Sequence, residues 1–345
     1  MDTLTHALSG ALLARATVRR DAPPRSIPRR VAAGFLACAV PDLDFVAGFA
    51  GPVTYLLNHR GVTHSLILLP LWAFGLAWLL AKILREPGGW RAFYGVSALA
   101  IGAHIVGDVI TSYGTMIFAP FSDWRAGIGT TFIIDLWFSG IILAGLIASA
   151  IFYRSRWPAV GGLAVLLAYV GLQFVQRQHA LEFAMQFADG RSLSAARIDA
   201  HPRPVSPFNW TVFVSEGERH HFAHVNLVRD ELRRYQPGDG FVARVDSPYM
   251  PLDKAIWVTR TRYGEVGQDT AKQAWSSDAL GFFRWFAAQP AFDGASEGCV
   301  WFVDLRFVTP GRDVTPFQFG ACRDAPDGTW RGYERAGAAA KILLR

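Results

Sequence analysis

The chain has 345 residues, 34 Lys+Arg against 28 Asp+Glu, with 51% hydrophobic and only 18% charged residues. The apolar content excludes a disordered chain, three Cys exclude a disulfide-dense mini-protein, and a charged fraction below the usual quarter points away from an ordinary soluble protein throughout. Residues 1–176 hold 13 Lys/Arg and 8 Asp/Glu, residues 177–345 hold 21 and 20, and no basic stripe interleaved with aromatics marks a nucleic-acid groove.

The first segment, 3–16, has a helical pattern but is short for a bilayer; it reads as a partial or re-entrant span. It is not a signal peptide, because the basic cluster follows it rather than precedes it. The next apolar stretch, 31–50, is broken by Pro41-Asp42-Leu43-Asp44. Segments 65–84, 92–112, 132–153 and 158–176 each approach the roughly 20 apolar residues that a spanning helix needs. Together they predict a polytopic α-helical membrane domain of about five to six segments over residues 1–176. Residues 177–207 read as an amphipathic helix and a Pro-rich linker. Residues 208–345 predict a small α+β domain with an antiparallel sheet. Its β-type runs are 210–216, 221–228, 240–245, 255–263, 299–308 and 316–322, with a helix over 270–289. Cys299 and Cys322 flank neighbouring runs and are either a disulfide or two buried thiols; Cys38, in a membrane segment, stays free.

Orientation follows from the arginines and lysines of the short loops. Eleven lie at 15–30, 82–91 and 154–156, and two, Arg60 and Arg125, lie on the opposite side. The first set is expected in the cytoplasm, which places residues 177–345 outside it. The expected location is a bacterial inner membrane, multi-pass, with a periplasmic C-terminal domain.

Ionisable residues inside membrane segments are costly, and they default to functional hypotheses. Here they are His6, Asp42, Asp44, His59, His64, His104, Asp108 and Asp135, all expected in one layer near the outer interface. Singly, each has a plainer reading: a helix–helix hydrogen bond, a paired His/Asp, or a helix cap. Jointly, imidazole nitrogens and carboxylate oxygens are the donor set of zinc or manganese. His104 and Asp108, at i and i+4, share one helix face. Pro41 breaks the helix so that Asp42 and Asp44 can point one way, and Gly61 is expected to bend the chain between His59 and His64. Arg60 is placed to meet an anionic substrate group. The run His220-His221-Phe222-Ala223-His224 reads as solvated surface, with His220 and His224 on one strand face.

The motifs MDTLTHALSGALL, PDLDF, HRGVTHS and AHIVGDVITSYGT, in that order over residues 1–135, resemble the bacterial inner-membrane metal-dependent hydrolase family that includes the LexA-regulated YdjM-type proteins. The resemblance implies a membrane-embedded metal hydrolase, with His6, Asp42, Asp44, His59, His64, His104 and Asp108 at the family's motif positions. A more distant similarity is to zinc-dependent phospholipase C and the P1-type nucleases, in the order His6, Asp44, His59, His104-xxx-Asp108. This chain has one such helix pair and no N-terminal Trp, so the similarity implies one or two ions rather than three, and phosphoester hydrolysis as the reaction.

The expectation is therefore a membrane hydrolase holding one or two divalent ions, zinc first and manganese second. The metal residues are His6, Asp42, Asp44, His59, His64, His104 and Asp108; the catalytic residues are His64, Asp42 and Arg60; Asp135 supports them from behind. Two metals clamp both oxygens of a displacement at phosphorus or carbon. The expected partners are the lipid bilayer and a lipid or lipid-linked substrate carrying a phosphoester or ester. The rivals are an ion-coupled transporter using the same residues as a relay, and a non-catalytic anchor with a structural metal.

Overall fold

The structure, a computed structural model, describes residues 1–265, 267–296, 298–325, 328–336 and 340–344. It divides into two compact units, one of Met1–Val46 with Asn58–Val175 and one of Ala47–Leu57 with Gln176–Arg345.

The first unit is helical. Helix α1 (Thr3–Ala16) starts where the Asp2 carboxylate accepts the Thr5 N–H at 3.0 Å. Helix α2 (Ser26–Ala39) passes into a tighter 3-10 stretch, Val40–Ala50, at Pro41, which has no N–H to continue an α-helical ladder. α1 and α2 touch backbone to backbone: a Cβ on Gly10 would lie 2.2 Å from the Gly34 carbonyl oxygen. Only glycine permits that approach, which is how small residues bring membrane helices together. After the short α3 (Pro52–Asn58), nearly all of which belongs to the second unit, a 3-10 turn at Val62–His64 leads into α4 (Leu69–Ile83), then α5 (Arg91–Val109) and α6 (Leu136–Ile151). α7 runs Trp157–Gly190. Leu12, Phe138, Ile142 and Leu166 meet in one apolar core.

Three helical stretches are long and apolar enough to cross a bilayer, Ser26–Ala50, Arg91–Val109 and Trp157–Gly190, or four if the pair Pro52–His64 and Leu69–Ile83, bent by 81°, counts as one. This is fewer than the five to six expected. The 16 residues of α6 rise about 24 Å against a hydrocarbon core of ~30 Å. The apolar run 132–153 is longer than its helix because Asp135 caps α6 and leaves the preceding residues outside it.

The second unit carries two antiparallel sheets rather than one. The first has the order β1 (Arg197–Pro202), β2 (Asn209–Glu216), β3 (Arg219–Asn226), β4 (Val258–Thr261); the second has β5 (Pro290–Ser296), β6 (Cys299–Asp304), β7 (Gln318–Cys322), β8 (Arg331–Ala336), β9 (Ala340–Leu343). Both faces of the first sheet are covered. On one, Trp210, Val212, Val214, Ala223 and Val225 pack on Ala180, Ala184 and Ala188, an i, i+4 stripe of α7. On the other, Phe213 and Phe222 meet Ala291 and Val303 of the second sheet. Cys299 and Cys322 stand opposite each other in β6 and β7 and form a disulfide, while Cys38 is free and buried.

Several expectations for this half change. Residues 240–245 are not a strand but lie in helix α8 (Phe241–Asp246). The expected helix over 270–289 is two, α9 (Gln268–Ser276) and α10 (Gly281–Phe286), broken at Ser277, whose backbone is extended. The stretch expected as a linker up to 207 contains β1, paired in register with β2. His220 and His224 do share a face, but His220 is buried rather than solvated. It bonds Ser215 Oγ at 2.8 Å and accepts no role at the surface, its Nε2 donating to the Pro290 carbonyl at 3.0 Å.

Candidate metal centre

Four segments of the first unit bring seven of the eight expected residues together. α1 supplies His6, the 3-10 stretch after Pro41 supplies Asp42 and Asp44, the loop before α4 supplies His59, Arg60 and His64, and α5 supplies His104 and Asp108. His64, His104 and Asp108 are 0% exposed and Asp42 is 7% exposed.

Asp42, His64, His104 and Asp108 each offer one donor atom, and the four lie within 4.8 Å of one another. The Nε2 atoms of His64 and His104 are 2.9 Å apart. Asp108 Oδ2 lies 3.1 Å from His64 Nε2 and 3.4 Å from His104 Nε2. Asp42 Oδ1 lies 3.5 Å from His104 Nε2 and 3.8 Å from His64 Nε2. A tetrahedral ion with bonds of ~2.0–2.1 Å sets its donors about 3.3 Å apart, and the five separations scatter around that edge length.

The outer bonds fix which ring nitrogens carry protons. His104 Nδ1 lies 2.6 Å from the Cys38 carbonyl oxygen, which can only accept, so Nδ1 is the protonated nitrogen. Thr63 Oγ1 donates to Asp44 Oδ2 at 3.1 Å and so accepts from His64 Nδ1 at 2.9 Å. In the neutral rings both Nε2 lone pairs then face each other, an arrangement that repels unless a cation lies between them. Asp108 Oδ2, the oxygen that faces both Nε2 atoms, is buried and accepts no hydrogen bond. Buried carboxylate oxygens without donors are costly, and an ion is one way to satisfy them. The residues present therefore fit a divalent metal.

The remaining residues hold this quartet. Asp108 Oδ1 is bonded by the Met1 nitrogen, by His6 Nε2 at 3.1 Å and by the Arg60 guanidinium at 2.9 Å, leaving Oδ2 for the centre. The His6 ring stacks on His104 with centroids 3.7 Å apart. A second trio, His6, Cys38 and His104, also offers donors close together, but it shares His104 with the quartet and is not an independent site. Asp44 accepts from His59 Nδ1 at 2.7 Å, the Arg60 N–H at 2.9 Å and Thr63 Oγ1, so its carboxylate ties the loop that presents His64. That loop turns at Arg60, φ +60°, and at Gly61 as expected, where a Cβ would lie 2.7 Å from the Asn58 carbonyl oxygen. Arg60 is 1% exposed, and its guanidinium, expected to meet a substrate anion, is held by Asp108 and by Thr111 Oγ1 at 2.9 Å.

Asp135 is not brought to the cluster. Its carboxylate caps α6 through the Phe138 N–H and accepts from Tyr169 Oη at 2.9 Å and Gln173 Nε2 at 2.7 Å. Sequence reasoning missed Thr63, Thr111 and the Cys38 carbonyl. Thr63 adjoins His64 and was within reach of a motif reading; a backbone carbonyl leaves no mark in a sequence.

The family model described as YdjM inner membrane protein matches residues 1–180. The chain is 29% identical over 181 residues to the uncharacterized protein YfhP of Bacillus subtilis (strain 168), covering 51% of this chain and 54% of that one. It is 31% identical over 107 residues to the inner membrane protein YdjM of Escherichia coli (strain K12), covering 28% of this chain and 50% of that one. The chain thus spans about half the length of the curated relatives it matches. No solved structure matches.

Proposed function

The chain belongs to the YdjM inner membrane protein family, and on that premise we propose that it is a membrane-embedded metal-dependent hydrolase. The observation that carries the reading is the set of five donor separations, 2.9–3.8 Å, among Asp42, His64, His104 and Asp108. A divalent ion bound there, zinc before manganese, would polarise a phosphoryl or carbonyl oxygen and lower the pKa of water. His64 and His104 would hold it through Nε2 and Asp108 through Oδ2. Asp42 would hold it through one oxygen and offer the other, Oδ2, to a proton released by water. Asp44 and Thr63 orient His64, and Arg60 keeps Asp108 turned inward. The substrate proposed is a phosphoester or ester of a lipid or lipid-linked molecule, because the residues sit in a helical unit with an apolar exterior. A multi-pass arrangement with residues from 177 onward outside the cytoplasm is supported by the eleven-to-two charge bias of the loops and by the Cys299–Cys322 disulfide, a bond of oxidising compartments.

The complete burial of His64, His104 and Asp108 favours a second reading, a metal that staples the helices without catalysis. Metal content and hydrolysis of short-chain phospholipids and chromogenic phosphoesters, measured on purified protein beside Asp42→Asn, separate the two. Hydrolysis lost in Asp42→Asn with metal retained supports the hydrolase. Metal retained with no turnover of any phosphoester or ester supports the staple.

A further inference from the structure

α1 carries His6 near its start and Arg15 in its last turn, nine residues on and about 14 Å along the axis. Around that far end lies a recess of about 600 Å3, whose lining includes Arg15, Arg19, Arg20, Arg154, Arg156 and Trp157 and no acidic side chain. The guanidiniums are positioned by neutral oxygens. Arg15 Nη2 donates to the Tyr153 and Ser155 carbonyls at 2.8 and 2.6 Å, Arg156 Nη1 to the Val18 carbonyl at 3.0 Å, and Arg154 Nε to Tyr153 Oη at 3.2 Å. Such bonds fix geometry and cancel no charge. Arg19 pairs with Asp21 at 3.2 Å, but both side chains are largely exposed, so the pair is weak. Among the described residues no carboxylate pairs with Arg15, Arg20, Arg154 or Arg156. A charge bias that only orients a membrane protein needs no concavity; here the charges line one.

We infer that this recess binds a phosphate group, carried by an anionic phospholipid headgroup or free in solution. Planar guanidinium forks match phosphate oxygens two at a time. Val18 and Ile27 add apolar wall to the recess, and Trp157, 62% exposed, is the residue type that settles at a headgroup layer. Basic recesses at the ends of membrane helices hold anionic lipid headgroups by these same contacts. The inference is independent of the metal centre, which lies toward the other end of α1.

The test titrates the full-length protein, in neutral detergent, with short-chain phosphatidylglycerol, short-chain phosphatidylcholine and inorganic phosphate, reading binding by native mass spectrometry. Arg20→Gln and Arg154→Gln remove exposed guanidiniums that hold no part of the core, and circular dichroism checks their fold. Saturable binding of phosphatidylglycerol, weakened about fivefold by each substitution, is the expected result. Displacement of that lipid by millimolar inorganic phosphate also supports the site and assigns it to phosphate in solution. Equal binding of phosphatidylcholine, or an affinity that neither substitution changes, overturns the inference.

Discussion

The Nε2 atoms of His64 and His104 face each other at 2.9 Å, although the Nδ1 of each ring is committed as a donor, to Thr63 Oγ1 and to the Cys38 carbonyl. Two neutral rings cannot share one hydrogen bond in that state. An ion or an extra proton between them would relieve that repulsion, and the two carboxylate oxygens at the same point, Asp42 Oδ1 and Asp108 Oδ2, suit the ion with the larger charge.

Elemental analysis of detergent-purified protein is therefore expected to find about one equivalent of zinc or manganese per chain, as a single four-donor site implies. His104→Ala is expected to lose it while keeping its helical circular dichroism, and Asp108→Ala to lose it together with stability, because Arg60 and the Met1 nitrogen are then left buried without their carboxylate. Protein that takes up neither metal on reconstitution would leave the shared proton as the account of this pair.

Asp44 touches the loop at three donors, and its Oδ2 lies 3.5 Å from His64 Nδ1, the ring nitrogen turned away from the centre. Removal of a residue that orients a ligand commonly costs 10–100-fold in metal affinity. Asp44→Asn is thus expected to retain metal but release it to a chelator at about 10–100-fold lower chelator concentration. Complete loss, equal to that of His104→Ala, would make Asp44 a ligand.

Much of this site is legible in the sequence because a charged residue in an apolar run has no ordinary reason to be there. His6, Asp42, His64, His104 and Asp108 stand out on that ground alone, and α1 keeps the bounds 3–16 that its pattern suggests. Roles are less legible than membership. Asp42 and Asp44 look equivalent as i and i+2, and only the 3-10 path after Pro41 sends one to the centre and the other to the loop. Arg60 looks free for a substrate until its left-handed backbone turns it onto Asp108. The extra strands β1, β5, β8 and β9 escape because their neighbours in the sheet, not their own alternation, hold them extended.

The Arg60–Asp108 pair is buried, 1% and 0% exposed, with its atoms at 2.9 Å. A buried charge left with no partner costs about 3–5 kcal/mol; Asp108 without Arg60 keeps the Met1 nitrogen and His6, so the cost here is expected below that range. Arg60→Gln is expected to lower thermal stability in detergent by several degrees or to prevent folding. A double variant, Arg60→Gln with Asp108→Asn, is expected to recover part of that loss. A double variant no more stable than the single would assign the cost to the loop instead.

Cys299 and Cys322 close a loop with a sequence separation of 23. A cross-link over a loop of that length restricts the unfolded chain by about 3 kcal/mol. Cys299→Ala combined with Cys322→Ala is expected to lower the unfolding free energy of the second unit by about 3 kcal/mol, read as a lower urea midpoint, without affecting bound metal. A midpoint that stays in place would show that the packed β6 and β7 already hold the sheet without it.

Acid should loosen the second unit before it touches the carboxylates. Burial pushes the His201 and His220 imidazoles down to about 4 and His224 to about 3. In the unfolded chain all three titrate near 6.5. Below that value the unfolded state binds protons that the folded state refuses, so stability is full above pH 6.5 and falls as pH drops toward 4. Each histidine adds a slope of up to about 1.4 kcal/mol per pH unit. Burial raises Asp199 and Asp304, but the Ala200 N–H with Arg177 and Arg197 at the first, and Arg306 at the second, hold them below the usual carboxylate range, so they add their own loss only at lower pH still. Hydrogen exchange of the β2 and β3 amides is expected to accelerate steadily, after correction for intrinsic rates, from pH 6.5 to 4.5. His220→Gln keeps a bond partner for Ser215 without a titrating ring, and should make that dependence shallower, His201 and His224 carrying the rest. Protection that holds constant across the window would mean that these imidazoles carry their protons into the folded sheet, with the Pro290 carbonyl and the Thr211 hydroxyl as acceptors.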